Sequence, residues 1–125
     1  MSNYYLSLGI NYPNNSDRVR SDGNSPGGDI FIHGNCVTIG CVPITDDKIM
    51  ELYLLAVEAR EHGQNTISVH IFPYRMTSSN HQNFQKQYPE HKSFWDELLP
   101  VYNSFENNHV VPVVNIQNDG RYVVN

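Results

Sequence analysis

Apolar positions along the chain switch between two periods, and the switches mark the elements. In "YYLSLGINYP", Tyr4, Leu6, Leu8 and Ile10 alternate with Tyr5, Ser7, Gly9 and Asn11. A period of two predicts a strand with one buried face. "NNSDRVRSDGNSPGGD" then shows no period and is almost all Asn, Ser, Asp, Gly and Pro, which predicts a long loop. Alternation returns at Asp29–His33, with Ile30 and Ile32 on one side and Phe31 and His33 on the other. His33 therefore closes a strand, and Gly34 follows it.

From Thr45 the period becomes helical. Ile49, Leu52, Tyr53, Ala56 and Ala59 share a face. Thr45 is expected to cap the helix, Asp46 and Asp47 to complement its dipole, and Gly63 to end it. "NTISVHIFP" reads as a strand stopped by Pro73. "RMTSSNHQNFQKQYPEH" is polar and irregular, with room for a short helix. Phe94, Trp95, Leu98, Tyr102 and Phe105 recur at helical spacing and read as core, in a segment that Pro100 is expected to kink or break. "NDG" between "HVVPVVNIQ" and "RYVVN" predicts a hairpin. The sum is a mixed α+β domain with a mainly antiparallel sheet and two or three helices. Its first strand begins with no lead-in, so residues 1–125 read as a single domain short of some N-terminal strands.

Composition narrows the function. The formal charge is −5, and Lys and Arg stand singly, which argues against nucleic acid and anionic membranes as partners. No apolar run is long enough to span a bilayer, and "MSNYYLSLGI" lacks the pattern of an export signal. Eight tyrosines suit a wide, partly polar surface or groove.

The chemistry concentrates in "DIFIHGNCVTIGCVPIT". His33, Cys36 and Cys41 could serve a metal, a disulfide or a thiol nucleophile. A structural zinc needs four ligands, and no second pair follows. A Cys36–Cys41 bridge needs a tight turn to bring the two together. A nucleophile needs a base, oxyanion donors and backbone freedom. Gly40 gives freedom before Cys41, the helix start at Thr45 favours a thiolate, and His33 at a strand end can serve as base. Gly34 offers a carbonyl to fix the imidazole tautomer. Cys36 has neither the preceding glycine nor the helix start, and is expected to be a buried structural thiol. Against each of these stands an ordinary role in packing.

"IFIHGNCVTIGC" resembles the active-site signature of the L,D-transpeptidase catalytic domains, the YkuD-type fold, and most closely the YafK branch. "GGDIFIHG", "CVPITDDKI", "VHIFPYRM" and the closing H-x-x-P-x-V continue the resemblance over roughly the whole chain. The wider family often carries a second histidine where Ile39 stands, so here only His33 can be the base. The resemblance implies a sandwich-like sheet, an envelope or periplasmic location, a peptidoglycan stem peptide as substrate, and no cofactor. It implies Cys41 as nucleophile, His33 as base, Gly34 as its orienting carbonyl, and the Gly40 and Cys41 amides as oxyanion donors. Arg75 is placed on a substrate carboxylate, and Thr38 beside the substrate, bracing the loop with its hydroxyl. Asp17, Arg18 and Asp29 are weighed as lesser contacts, with solvated or turn roles at least as fitting, and His70 as a packed histidine. Amide hydrolysis by the same thiol, or a non-catalytic wall-binding domain, are the alternatives.

Overall fold

The structure is a computed structural model that describes residues 5–22 and 26–125. The Tyr4 end of the first predicted strand lies outside these residues. The chain divides into two compact units, whose described residues are 5–14 with 26–69, and 15–22 with 70–125.

The first unit is built on a three-stranded sheet. β1 (Ser7–Gly9) pairs antiparallel with β2 (Phe31–His33), and β2 pairs in parallel with β3 (Val42–Pro43). The order is β1-β2-β3. The sheets are expected to be mainly antiparallel, and β2–β3 is the parallel pair among the described strands. After it comes α2 (Asp46–Glu61), which lies on β1 and β2 and buries Ile49 completely. On the same helix Leu52, Ala56 and Ala59 are half-buried, while Met50, Tyr53, Leu54, Leu55 and Val57 are exposed. The helix ends at His62, and Gly63 takes φ +94°, a left-handed value that suits glycine.

The second unit contains α1 (Asn15–Arg20), α3 (Ser78–Gln87), a 3₁₀ turn (Pro89–His91), α4 (Lys92–Asn108) and the hairpin β4 (Val114–Ile116) and β5 (Tyr122–Val124). α1 is a correction: a helical turn forms inside the stretch expected to be loop, anchored by the Ser16 hydroxyl on the Gly120 carbonyl. α3 begins with Thr77, whose hydroxyl accepts the Asn80 N–H. α4 runs through Pro100 without a break, so of the two expected outcomes, kink or break, the break does not occur. A mid-helix proline costs roughly 3 kcal/mol. Burying Trp95, Leu98 and Val101 on the same helix offsets that, at about 1.5–3 kcal/mol for each side chain. Met76, Trp95 and Leu98 form the core, with Phe72, Tyr74, Phe84, Tyr102 and Tyr122 packed around it. The hairpin turns as expected, with Gly120 at φ +85°.

The predicted strand at 65–73 takes no regular secondary structure and pairs with no strand among the described residues. Among the described residues the architecture is mixed α+β, with four α-helices instead of two or three and with small sheets. None of the described helices is long and apolar enough to cross a membrane.

Candidate active site

His33 closes β2 and is 3% exposed. Its Nδ1 lies 2.5 Å from the carbonyl oxygen of Gly34. A carbonyl can only accept, so Nδ1 carries the hydrogen and Nε2 is the basic nitrogen. Gly34 is buried, and its N–H donates to the Leu6 carbonyl at 3.1 Å. The backbone thus sets the tautomer of the ring.

Cys41 immediately precedes β3. The parallel register pairs Ile32 with Val42 and His33 with Pro43. Cys41 itself lies in a bend just outside the strand, one residue before the paired register. Cys41 is half-buried, and its Sγ makes a long contact of 3.9 Å to the Asp29 carbonyl.

The intervening loop is fastened at its base by main-chain groups. The Ile44 N–H donates to the His33 carbonyl and the Thr45 N–H to the Asn35 carbonyl, both at 2.9 Å. The Asn35 N–H donates to Asp46 Oδ1 at 2.7 Å. Asn35 adopts φ +65°, which asparagine tolerates. Thr45 is the residue before the helix, as expected, but its side chain caps nothing. It sits at φ 74°, ψ 161°, a strained region for a β-branched residue that costs of order 1–3 kcal/mol. The strain coincides with the bond from the Thr45 N–H that closes the loop, and Asp46 serves that closure too.

Within the loop, the N–H groups of Gly40 and Cys41 converge on one oxygen. Thr38 Oγ1 accepts both, at 3.2 Å and 2.7 Å. Gly40 stands at φ +139°, with nothing within 4 Å of where a Cβ would project. Glycine is needed there for its backbone and not for space. Cys36 is exposed, not buried, because the loop turns outward at Asn35, whose side chain accepts the Cys36 N–H at 2.7 Å.

Other predicted residues lie elsewhere. Arg75 is an exposed residue of the second unit, with no acidic partner among the described residues. Its carbonyl accepts from the Thr77 N–H and from Asn80 Nδ2, both at 2.9 Å. Asp17 and Arg18 lie in α1. His70 is largely exposed; its ring meets that of Phe72 at a steep angle, and partial desolvation pushes its pKa down. Sequence reasoning missed the part of Asp46 in holding the loop, because an acidic residue in a first helical turn already has a sufficient role.

No protein-family model matches the chain. Over 123 residues, 98% of its length, it is 38% identical to the protein named "Putative L,D-transpeptidase YafK" of Escherichia coli strain K12. This similarity supports an L,D-transpeptidase-like domain near the YafK branch. The protein of the same name in Escherichia coli O157:H7 matches with the same identity and coverage. The chain spans about half the length of these relatives, 48%.

Proposed function

We propose that this L,D-transpeptidase-like chain carries a cysteine acyl-transfer site for peptidoglycan stem peptides in the cell envelope. The Cys41 thiolate attacks the carbonyl at the L-configured centre of the stem's diamino acid. His33 Nε2 takes the thiol proton and returns it to the departing amine. The bond from that carbonyl carbon to nitrogen breaks, and a thioester to Cys41 remains. An acceptor amine then attacks the thioester, passes its proton to His33 and frees the sulfur. While negative charge sits on the carbonyl oxygen, the amides of Gly40 and Cys41 stabilise it, each by on the order of 3 kcal/mol. To use them, the substrate oxygen takes the place that the Thr38 hydroxyl holds. Arg75 is the residue for a substrate carboxylate, which a guanidinium fork suits.

The observation that supports this reading best is the bond from His33 Nδ1 to the Gly34 carbonyl, on the strand beside Cys41. It fixes the tautomer that a general base requires. Hydrolysis is the second reading. It is favoured by Ile39, which occupies the place of the family's second histidine and is wholly exposed, leaving that side of the loop to water. Incubating the protein with tetrapeptide muropeptides and a D-amino acid separates the two. Exchange of the terminal residue, seen by mass, supports transfer, and loss without exchange supports hydrolysis. Unchanged muropeptides would contradict both.

A further inference from the structure

The second unit holds a chain of titratable side chains that the proposed reaction leaves unused. His81 of α3 is 8% exposed. Its Nδ1 lies 2.8 Å from the Tyr74 hydroxyl, and its Nε2 lies 2.9 Å from Asp96 Oδ1 on α4. Lys92 Nζ donates to Asp96 Oδ2 at 2.6 Å, and the Gln85 amide donates to Oδ1. The hydrogens follow from these partners. An ionised carboxylate accepts only, so His81 Nε2 carries a proton; in the neutral ring Nδ1 is then the acceptor and the Tyr74 hydroxyl donates to it, while Gln85 Nε2, 2.8 Å from His81 Nε2, gives its hydrogen to Asp96.

An aspartate, a histidine and a tyrosine in line could activate the phenol as a base or nucleophile. The surroundings work against that. Burial, together with the Asp96 charge, pushes the Tyr74 pKa up, and so keeps it a neutral donor. The chain holds Tyr74 in place instead of ionising it. The Tyr74 ring also stacks on Phe84 at 4.5 Å between centroids and meets Trp95 edge-on at 5.1 Å.

Arg75 comes next in sequence, and Met76 after it is 2% exposed. Arg75 thus sits between two anchored side chains. Its own carbonyl is held by Thr77 and Asn80. Its exposed guanidinium has no acidic partner among the described residues. A turn ordered in advance loses less freedom when its charged end engages a ligand.

We propose that Asp96, His81 and Tyr74 are positioning residues that fix the turn carrying Arg75, so that its guanidinium meets the terminal carboxylate of a stem peptide already ordered. This rests on the reading of Arg75 given above.

The test measures binding of a four-residue stem peptide and of its C-terminal amide to the chain bearing Cys41→Ala, so that nothing turns over. The acid is expected to bind about tenfold more tightly than the amide, and Arg75→Ala to abolish that preference. Tyr74→Phe and His81→Gln are each expected to cut the preference at least threefold. Adding His81→Gln to Arg75→Ala should change it no further, since the two act through one group. A merely structural role for His81 would lower the thermal midpoint and leave the acid-to-amide ratio where it was. If Arg75→Ala abolishes the preference while Tyr74→Phe and His81→Gln leave it intact, the positioning proposal falls and Arg75 keeps its role. If the chain shows no preference, or Arg75→Ala leaves it unchanged, the role of Arg75 falls and the inference with it. Should His81→Gln fail to fold, Tyr74→Phe decides alone, because it removes only the hydroxyl.

Discussion

In the second unit, Met76, Trp95 and Leu98 are buried within a shell of half-buried aromatics, and its polar chain from Asp96 to Tyr74 leans on that shell. In the first unit, Ile49 is the fully buried aliphatic among the described residues. There, the segment that carries His33 and Cys41 is shaped by backbone bonds at Asn35, Ile44 and Thr45. The two solve different problems. Apolar packing gives rigidity that tolerates a lost backbone bond, as the unbroken passage of α4 through Pro100, which has no N–H to give, illustrates. A site that must aim amides at one oxygen specifies the backbone residue by residue. Gly40, Asn35 and Thr45 accordingly stand at positive φ.

That contrast can be broken from either side. The largest expected effect is on the packed side: Trp95→Ala removes the centre of the aromatic cluster and is expected to cost about 3–5 kcal/mol, read from the denaturant midpoint. Gly40→Ala tests the other side. No atom stands in the way of a Cβ, yet φ +139° disfavours it, so about 1–3 kcal/mol of strain is expected. Its signature is a loss of Cys41 acylation larger than the loss of stability. Thr38→Val removes the oxygen on which the two amides converge. A net cost of about 1 kcal/mol is expected, with loosened protection of both amides in hydrogen exchange, and Thr38→Ser should restore them. Equal protection in Thr38→Val would mean that the loop does not depend on this hydroxyl.

The smallest effect concerns pH. The hydrogen bond from Lys92, followed by those from His81 and Gln85, holds the Asp96 carboxyl below the ordinary carboxylate range, against some desolvation. The unfolded chain therefore takes up this proton at a higher pH than the folded one. The stabilisation is present above about pH 4 and fades as the pH falls through the depressed folded value. The Asp96 side chain is 43% exposed, so solvent screening keeps the effect small. Asp96→Asn is expected to flatten the acid limb of stability below about pH 4.

Much of this contrast was legible in the chain itself. The helical face around Ile49, the alternation that ends at His33 and the "NDG" hairpin are local patterns, and local patterns carry their own signal. The misses are non-local. Residues 65–73 have the composition of a strand, but a strand also needs a partner, which composition does not name. α1 lies in a stretch rich in turn formers, and a hydroxyl bonded 104 positions away anchors it. The outward Cys36 follows from the left-handed Asn35, and one asparagine among several gives no warning of that. The sequence offered His33, Cys41 and the glycines. The convergence of the Gly40 and Cys41 amides on Thr38 depends on three-dimensional closure. The Tyr74–His81–Asp96 chain joins three segments, and only the four-residue spacings of His81 with Gln85 and of Lys92 with Asp96 hinted at it.

The most direct test of the central claim is to locate the acyl adduct. The protein is mixed with a tetrapeptide stem, quenched in acid and mapped by mass spectrometry. A thioester on Cys41 is expected, unchanged by Cys36→Ser and absent in Cys41→Ala. In His33→Gln it should form roughly 10²–10⁴-fold more slowly. An adduct on Cys36, or acylation that proceeds at full rate without the His33 imidazole, would contradict the claim.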